Sequence, residues 1–204
     1  MFSLAHARIS YATYLAEEAG SDVKHEWLDG SVVAMAGGTP DHSLLKTNLG
    51  REVSAALRGK RCRAFDSDLR VRCPATGLGT YPDLTVICGP FIIDDEDKDA
   101  AVNPTLIFEV LSKSTASYDR TEKFDHYATL ETLTTYVIVD NTRPRIDVYI
   151  KLDAESWVRK RYESGARVPL PAIDAEIAVD DVYEGWAELR ARLVEEAERV
   201  KGAG

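Results

Sequence analysis

The chain has 204 residues, 45% of them hydrophobic and 29% charged, a globular composition that is long enough to bury a core and excludes a disordered chain. No apolar run approaches the roughly 20 residues that cross a bilayer, and Met1 to Gly20 lacks the basic, apolar, small-residue order of a signal peptide, so the cytoplasm and no membrane partner are expected. A net charge of −9 argues against broad nonspecific binding to nucleic acid, which needs basic surface.

Tyr11, Tyr14 and Leu15 recur at i, i+3, i+4 and predict a short helix over Tyr11–Ala19. His25-Glu26-Trp27-Leu28, the turn Asp29-Gly30 and Ser31-Val32-Val33-Ala34-Met35 predict a β-hairpin. Thr39-Pro40-Asp41 reads as a helix start, with a capping threonine, a proline in the first position and an acid in the first turn. Leu45, Leu49, Val53 and Leu57 form its core stripe, and Gly59 ends it. Arg61–Phe65 and Leu69–Cys73 read as strands, and Thr76–Gly79 as a loop. Between Arg51 and Arg72 lie seven basic residues against three acids. That stretch is either a solvated surface with capping arginines or a phosphate track. Cys62, Cys73 and Cys88 are odd in number, form no CxxC pair and read as reduced thiols.

Two apolar strands then each carry one carboxylate: Tyr81-Pro82-Asp83-Leu84-Thr85-Val86-Ile87 and Ile107-Phe108-Glu109-Val110-Leu111-Ser112. Burying a lone charge costs several kcal/mol unless it is paired or holds a metal. If the strands pair, Asp83 and Glu109 converge on one cation. Carboxylates are hard oxygen ligands suited to Mg²⁺ or Mn²⁺, with the Val110 carbonyl as a further ligand. The competing readings are a strand-end acid after proline for Asp83 and an ion pair, with Arg120 for example, for Glu109. Asp94 to Asp99 between them reads as a solvated acidic loop.

Ser114-Thr115 caps an expected helix to about Leu130, on which Arg120, Lys123 and Tyr127 share a face. The bland reading of Lys123 is an exposed pair with Asp119. Tyr136–Val139, Ile146–Ile150 and Ser156–Tyr162 read as strands, and Glu184 to about Lys201 as an amphipathic helix. Trp27, Trp157 and Trp186 fit core or interface positions better than base-stacking platforms. The pattern predicts a mixed α/β (α+β) architecture, a mixed sheet flanked by helices. The expected organisation is a single domain over 1–204, with a core at about 39–150, a helix and hairpin at 10–36 and C-terminal strands and a helix at 151–201.

The ordered set Pro82-Asp83, Glu109-Val110-Leu111-Ser112-Lys113-Ser114-Thr115, Asp119-Arg120-Thr121-Glu122-Lys123-Phe124, Tyr127 and Tyr136-Val137-Ile138-Val139-Asp140 resembles the PD-(D/E)XK nuclease superfamily. More closely, the chain resembles the Uma-type family of restriction-endonuclease-like proteins, formerly a domain of unknown function. The hairpin around Glu26 and Gly30 and the residue His42 match as well, so the resemblance runs from about residue 10 to 185. It implies a restriction-endonuclease-like fold and a Mg²⁺- or Mn²⁺-dependent hydrolase that cuts DNA phosphodiester bonds, with Asp83, Glu109 and the Val110 carbonyl on the metal. It also implies a homodimer, since nucleases of this fold often cut two strands as dimers. The superfamily's lysine would fall at position 111, which is Leu111 here. The resemblance implies that it has migrated to Lys123, with Lys113 as the rival. Glu26 is a candidate third acid, Asp68 a weaker one, and His42 a further site candidate. The alternative is a nuclease-fold protein without catalysis, acting as a nucleic-acid-binding or oligomeric module.

Overall fold

A computed structural model describes residues 8–35, 37–112 and 116–202. Helix α1 (Tyr11–Glu18) is capped by Ser10, whose hydroxyl accepts the Thr13 amide. Tyr11 and Tyr14 pack with Trp27 of the hairpin β1 (His25–Leu28) and β2 (Ser31–Ala34). Asp29 and Gly30 both take positive φ, as a two-residue hairpin turn requires. Helix α2 (Pro40–Ala56) follows, then β3 (Cys62–Asp66), β4 (Arg70–Cys73), β5 (Leu78–Thr80), β6 (Leu84–Cys88), β7 (Ala100–Ala101) and β8 (Leu106–Val110). Two short helices, α3 (Ala116–Arg120) and α4 (Glu122–Ala128), lead to β9 (Thr135–Val139), β10 (Arg145–Lys151) and β11 (Trp157–Glu163). The chain closes with β12 (Arg167–Leu170), β13 (Ala175–Ala178), α5 (Val179–Val182) and α6 (Trp186–Gly202).

Among the described residues the strands form a six-stranded sheet in the order β11-β10-β9-β8-β6-β3, a five-stranded sheet in the order β2-β1-β5-β4-β7, and the hairpin β12-β13. In the larger sheet β8 and β9 are parallel and the other neighbours antiparallel. Alternation along β8 and β9 divides the core. Phe108, Val110, Val137 and Val139 face the α2 stripe of Leu45, Leu49 and Val53. Ile107, Tyr136 and Ile138 face Tyr127, Leu130 and Leu133 on the other side. Each fully buried leucine or valine stabilises the fold by about 2 kcal/mol through apolar burial, and the α2 stripe is fully buried. Glu109 therefore enters the α4 side of the sheet, while α2 covers the opposite side.

Several expectations need correction. The helix expected to run to Leu130 breaks at Thr121, whose backbone leaves the helical region at φ −128°, ψ −90°. The break separates Arg120, which pairs with Asp140 and Asp147, from Lys123 and Tyr127, which turn toward β8. The Ser114-Thr115 cap lies outside the described residues. Leu78–Thr80 is a strand despite Gly79, because it fills the place between β1 and β4. Cys62 and Cys88 are not free thiols. They are direct partners across β3 and β6, with Cα atoms 4.0 Å apart, and are joined in a disulfide; Cys73 remains a buried thiol. The acidic loop is not wholly solvated, since Asp97 is buried and accepts hydrogen bonds from Arg70 and from the Tyr11 hydroxyl at 2.7 Å.

The basic stretch divides in the same way. Arg70 and Arg72 are buried, with Arg72 lying over the Tyr11 ring, and Lys60 donates to the carbonyls of Ile173 and Asp174. These groups are spent on structure and form no continuous track for phosphates. Trp27 and Trp186 are buried, in keeping with core roles, and Trp157 is half-buried against Phe124. No helix among the described residues is long and apolar enough to cross a membrane.

Candidate functional site

The two acidic strands are neighbours. β6 and β8 run antiparallel with Leu84 opposite Phe108, so Asp83, at the entrance to β6, sits beside Glu109. Proline at position 82 suits this place, because the entrance to a strand tolerates a residue without an amide donor. The Val110 amide donates to Asp83 Oδ2 at 2.8 Å, and the Asp83 amide approaches Glu109 Oε2 at 3.4 Å. Asp83 is thus held by the backbone at one end of the larger sheet, with Glu109 beside it.

Helix α2 supplies the partners on the first side. His42 Nε2 lies 2.9 Å from the Val110 carbonyl and 3.5 Å from Asp83 Oδ2. One turn later, Lys46 Nζ lies 3.0 Å from Asp83 Oδ1 and donates to Ser67 Oγ, also at 3.0 Å. The approach to α2 makes room for the imidazole, since a Cβ at Gly38 would stand 2.8 Å from His42 Nδ1. Helix α4 supplies the second side. Lys123 Nζ lies 2.9 Å from Glu26 Oε1, 3.0 Å from Glu109 Oε1 and 3.8 Å from Asp119 Oδ1. Tyr127, one turn on, donates its hydroxyl to Glu109 Oε1 at 2.8 Å. Glu26 reaches in from β1 and accepts a hydrogen bond from Thr80 of β5. The site lies where the two larger sheets meet.

Electrostatics distinguish the two acids. Burial works to raise Asp83, but the hydrogen bond to His42 and the charge of Lys46 outweigh it and hold the carboxyl below its usual range. Burial likewise opposes a charge on His42, yet the bond to Asp83, that carboxylate's charge and the Val110 carbonyl raise it. Glu109 is pushed up to about 8, first by burial and then by the charges of Asp83 and Asp119, against the opposing pull of Lys123. Lys123 itself is held well above the ordinary lysine range by Glu109, Glu26 and Asp119 against its burial. Among the described residues, the carboxylates of Asp83, Glu109, Glu26 and Asp119 thus lie around Lys46, Lys123 and His42.

Among the described residues, no group of three or more His, Cys, Asp or Glu side chains is placed to hold a metal ion together. The oxygens that could do so are those of Asp83 and Glu109 and the Val110 carbonyl, a hard set that water would have to complete. Among the described residues, Glu109 Oε2 is the least engaged of them, with the 3.4 Å amide contact. The Val110 carbonyl already lies within hydrogen-bond reach of His42.

Asp83, Glu109, Lys123, Glu26, His42 and Val110 are all brought together. Asp68 is not; it is exposed and pairs with Lys24. Arg120 serves the Asp140–Asp147 cluster, and Lys113 lies outside the described residues. Lys46 was missed from the sequence. Its spacing of four from His42 was the available signal.

The profile of the Uma2 family, described as "Putative restriction endonuclease", matches residues 11–180. An uncharacterized protein of Synechocystis sp., slr1290, is 36% identical over 180 residues, covering 88% of this chain and 94% of that protein. A second from the same organism, sll1609, is 31% identical over 150 residues, covering 74% of this chain and 85% of its own length. The crystal structure of a protein from Anabaena variabilis, titled a "putative nuclease belonging to DUF820", superposes with a TM-score of 0.70 at 15% identity. The superposition covers 87% of this chain and 99% of that one, a likeness of fold. The family match spans the hairpin with Glu26, the helix with His42, both acidic strands and Lys123, and the chain belongs to the Uma2 family.

Proposed function

We propose that the protein is a metal-dependent endonuclease that hydrolyses DNA phosphodiester bonds, with Asp83 and Glu109 as the ligands of Mg²⁺ or Mn²⁺. The observation that carries this reading is the pairing of two carboxylates at one sheet end, Glu109 buried and Asp83 partly buried, with Lys123 closed onto Glu109. The donor set fits a hard divalent cation; Glu109, pushed up to about 8 first by burial and then by the charges of Asp83 and Asp119, is a carboxyl whose ionisation such an ion would favour. Bound there, such an ion would polarise the phosphate and activate a water for attack on phosphorus. The Val110 carbonyl is a further ligand in this reading.

The chain's own groups set the geometry. Lys123 and Tyr127 both hold Glu109 Oε1, which directs Oε2 toward Asp83. Glu26 also holds Lys123, its Oε1 2.9 Å from Nζ. His42 and the Val110 amide orient Asp83. Cutting both strands of a duplex calls for two such sites, so a homodimer belongs to the proposal.

The test is cleavage of duplex DNA by purified protein in Mg²⁺ and in Mn²⁺. Wild type should cut, and Asp83→Ala or Glu109→Ala should lose at least about a hundredfold in rate, the scale on which one preorganised electrostatic group acts. Intact DNA across varied duplexes, or cutting that survives Glu109→Ala, counts against the reading.

One observation favours a second reading. Both oxygens of Asp83 already have partners, the Val110 amide and Lys46. In a module that binds nucleic acid or assembles without catalysis, those contacts alone would explain the buried acid. Such a protein would bind duplex DNA and leave it uncut in either metal.

A further inference from the structure

The two lysines of the site are not equivalent. Lys123 is buried, with 6% of its side chain exposed, and it faces three carboxylates within 3.8 Å. To reach a phosphate it would have to abandon Glu26 and Glu109, leaving the buried Glu109 and the partly buried Glu26 without this counter-charge. Withdrawing one partner from a buried ion pair is strongly unfavourable. Lys46 is 27% exposed and has two partners, Asp83 and Ser67. If Lys46 moves to an anion, Asp83 keeps the Val110 amide and His42. Ser67 would continue to steer the ammonium.

The surroundings agree. Ser67 sits in the turn between β3 and β4, and its carbonyl accepts Lys24 Nζ at 2.9 Å, so two ammonium groups converge on one residue beside the acidic pair. Lys24 is already paired with the exposed Asp68 and lies over the Tyr81 ring. Nearby guanidinium groups are committed elsewhere, Arg70 to Asp97 and Arg120 to Asp140 and Asp147. On a chain of net charge −9, a nucleic-acid phosphate needs a local cation to approach two carboxylates.

We propose that Lys46 is the phosphate-contacting cation of the site: its ammonium, steered by Ser67 beside Asp83, takes the non-bridging oxygens of a nucleic-acid phosphodiester. Lys123 is then a positioning residue that acts through Glu109. This inference rests on the nuclease reading and adds the group that meets the substrate.

The experiment measures binding of a short blunt DNA duplex by fluorescence anisotropy in EDTA over a series of salt concentrations, alongside cleavage in Mg²⁺. Lys46→Met should weaken binding about tenfold, the worth of one charge-assisted hydrogen bond. It should also reduce the slope of log affinity against log salt by about 0.9, one phosphate contact. Lys46→Arg should keep the wild-type slope, and the melting temperature of Lys46→Met should stay close to wild type because the side chain is partly exposed. Lys123→Met should leave the slope unchanged while lowering the melting temperature. If wild type cuts DNA and Lys46→Met matches it in both slope and rate, the role of Lys46 is overturned and the nuclease reading stands. A wild type that neither binds nor cuts DNA removes both.

Discussion

Glu109 is the residue on which the site's energetics turn. It stands in an apolar strand at 4% exposure, with Lys123 and Tyr127 on one oxygen. Its folded pKa, about 8, lies above its ordinary value of 4.5. A carboxyl raised in this way contributes stability below about 4.5 and loses it as pH rises toward 8. The metal-free protein should therefore lose stability between those limits. His42, also raised, loses its own contribution above 6.5 in an overlapping window. Urea midpoints of wild type and Glu109→Gln separate the two: the variant should show a flatter profile and greater stability at pH 8, and parallel profiles would contradict the assignment. Lys123→Met should cost about 3 kcal/mol, because it removes the buried cation that Glu109 and the partly buried Glu26 share; an unchanged midpoint would deny that pairing. The two strand acids and Lys123 were legible because charges stand out in apolar or family-like segments. Lys46 was not, because a lysine on a soluble helix has an ordinary surface explanation, and only the packing of α2 over Asp83 gives it another.

Elements show the same division between local and distant causes. The acidic strands and β9 follow from continuous apolar runs and α2 from the leucine stripe, so they could be read directly. Leu49, fully buried on α2, anchors the helix that delivers His42 and Lys46. Leu49→Ala should destabilise the protein by about 3 kcal/mol in denaturant unfolding, and a loss below about 1 kcal/mol would mean that α2 does not pack as described. The break at Thr121 could not be read, because helical spacing alone continues through it. Only the competing demands of Glu109 and of the Asp140–Asp147 pair separate α3 from α4. The Cys62–Cys88 bond depends on the pairing of β3 with β6, a register that cysteine spacing does not contain. Thiol titration of the unfolded, unreduced protein should find Cys73 alone reactive, and reduction should cost about 3 kcal/mol for a loop closed over 26 positions. Three reactive thiols would contradict the bond.

At the scale of the whole molecule, the N-terminal hairpin is part of the site. Glu26 on β1 and Thr80 on β5 belong to one sheet, Glu109 on β8 belongs to the other, and Lys123 joins them. The mixed sheet and its helices were legible as a class. Their division into two sheets meeting at the acids was not, because it depends on long-range strand pairings such as β1 with β5 and β4 with β7. The proposed metal site is shared by Asp83 and Glu109. Its most direct test is calorimetric titration of Mn²⁺ into wild type, Asp83→Ala and Glu109→Ala at one pH. Saturable binding to wild type, lost in both variants, is the expected result. Equal binding by all three proteins, or none by wild type, would contradict it.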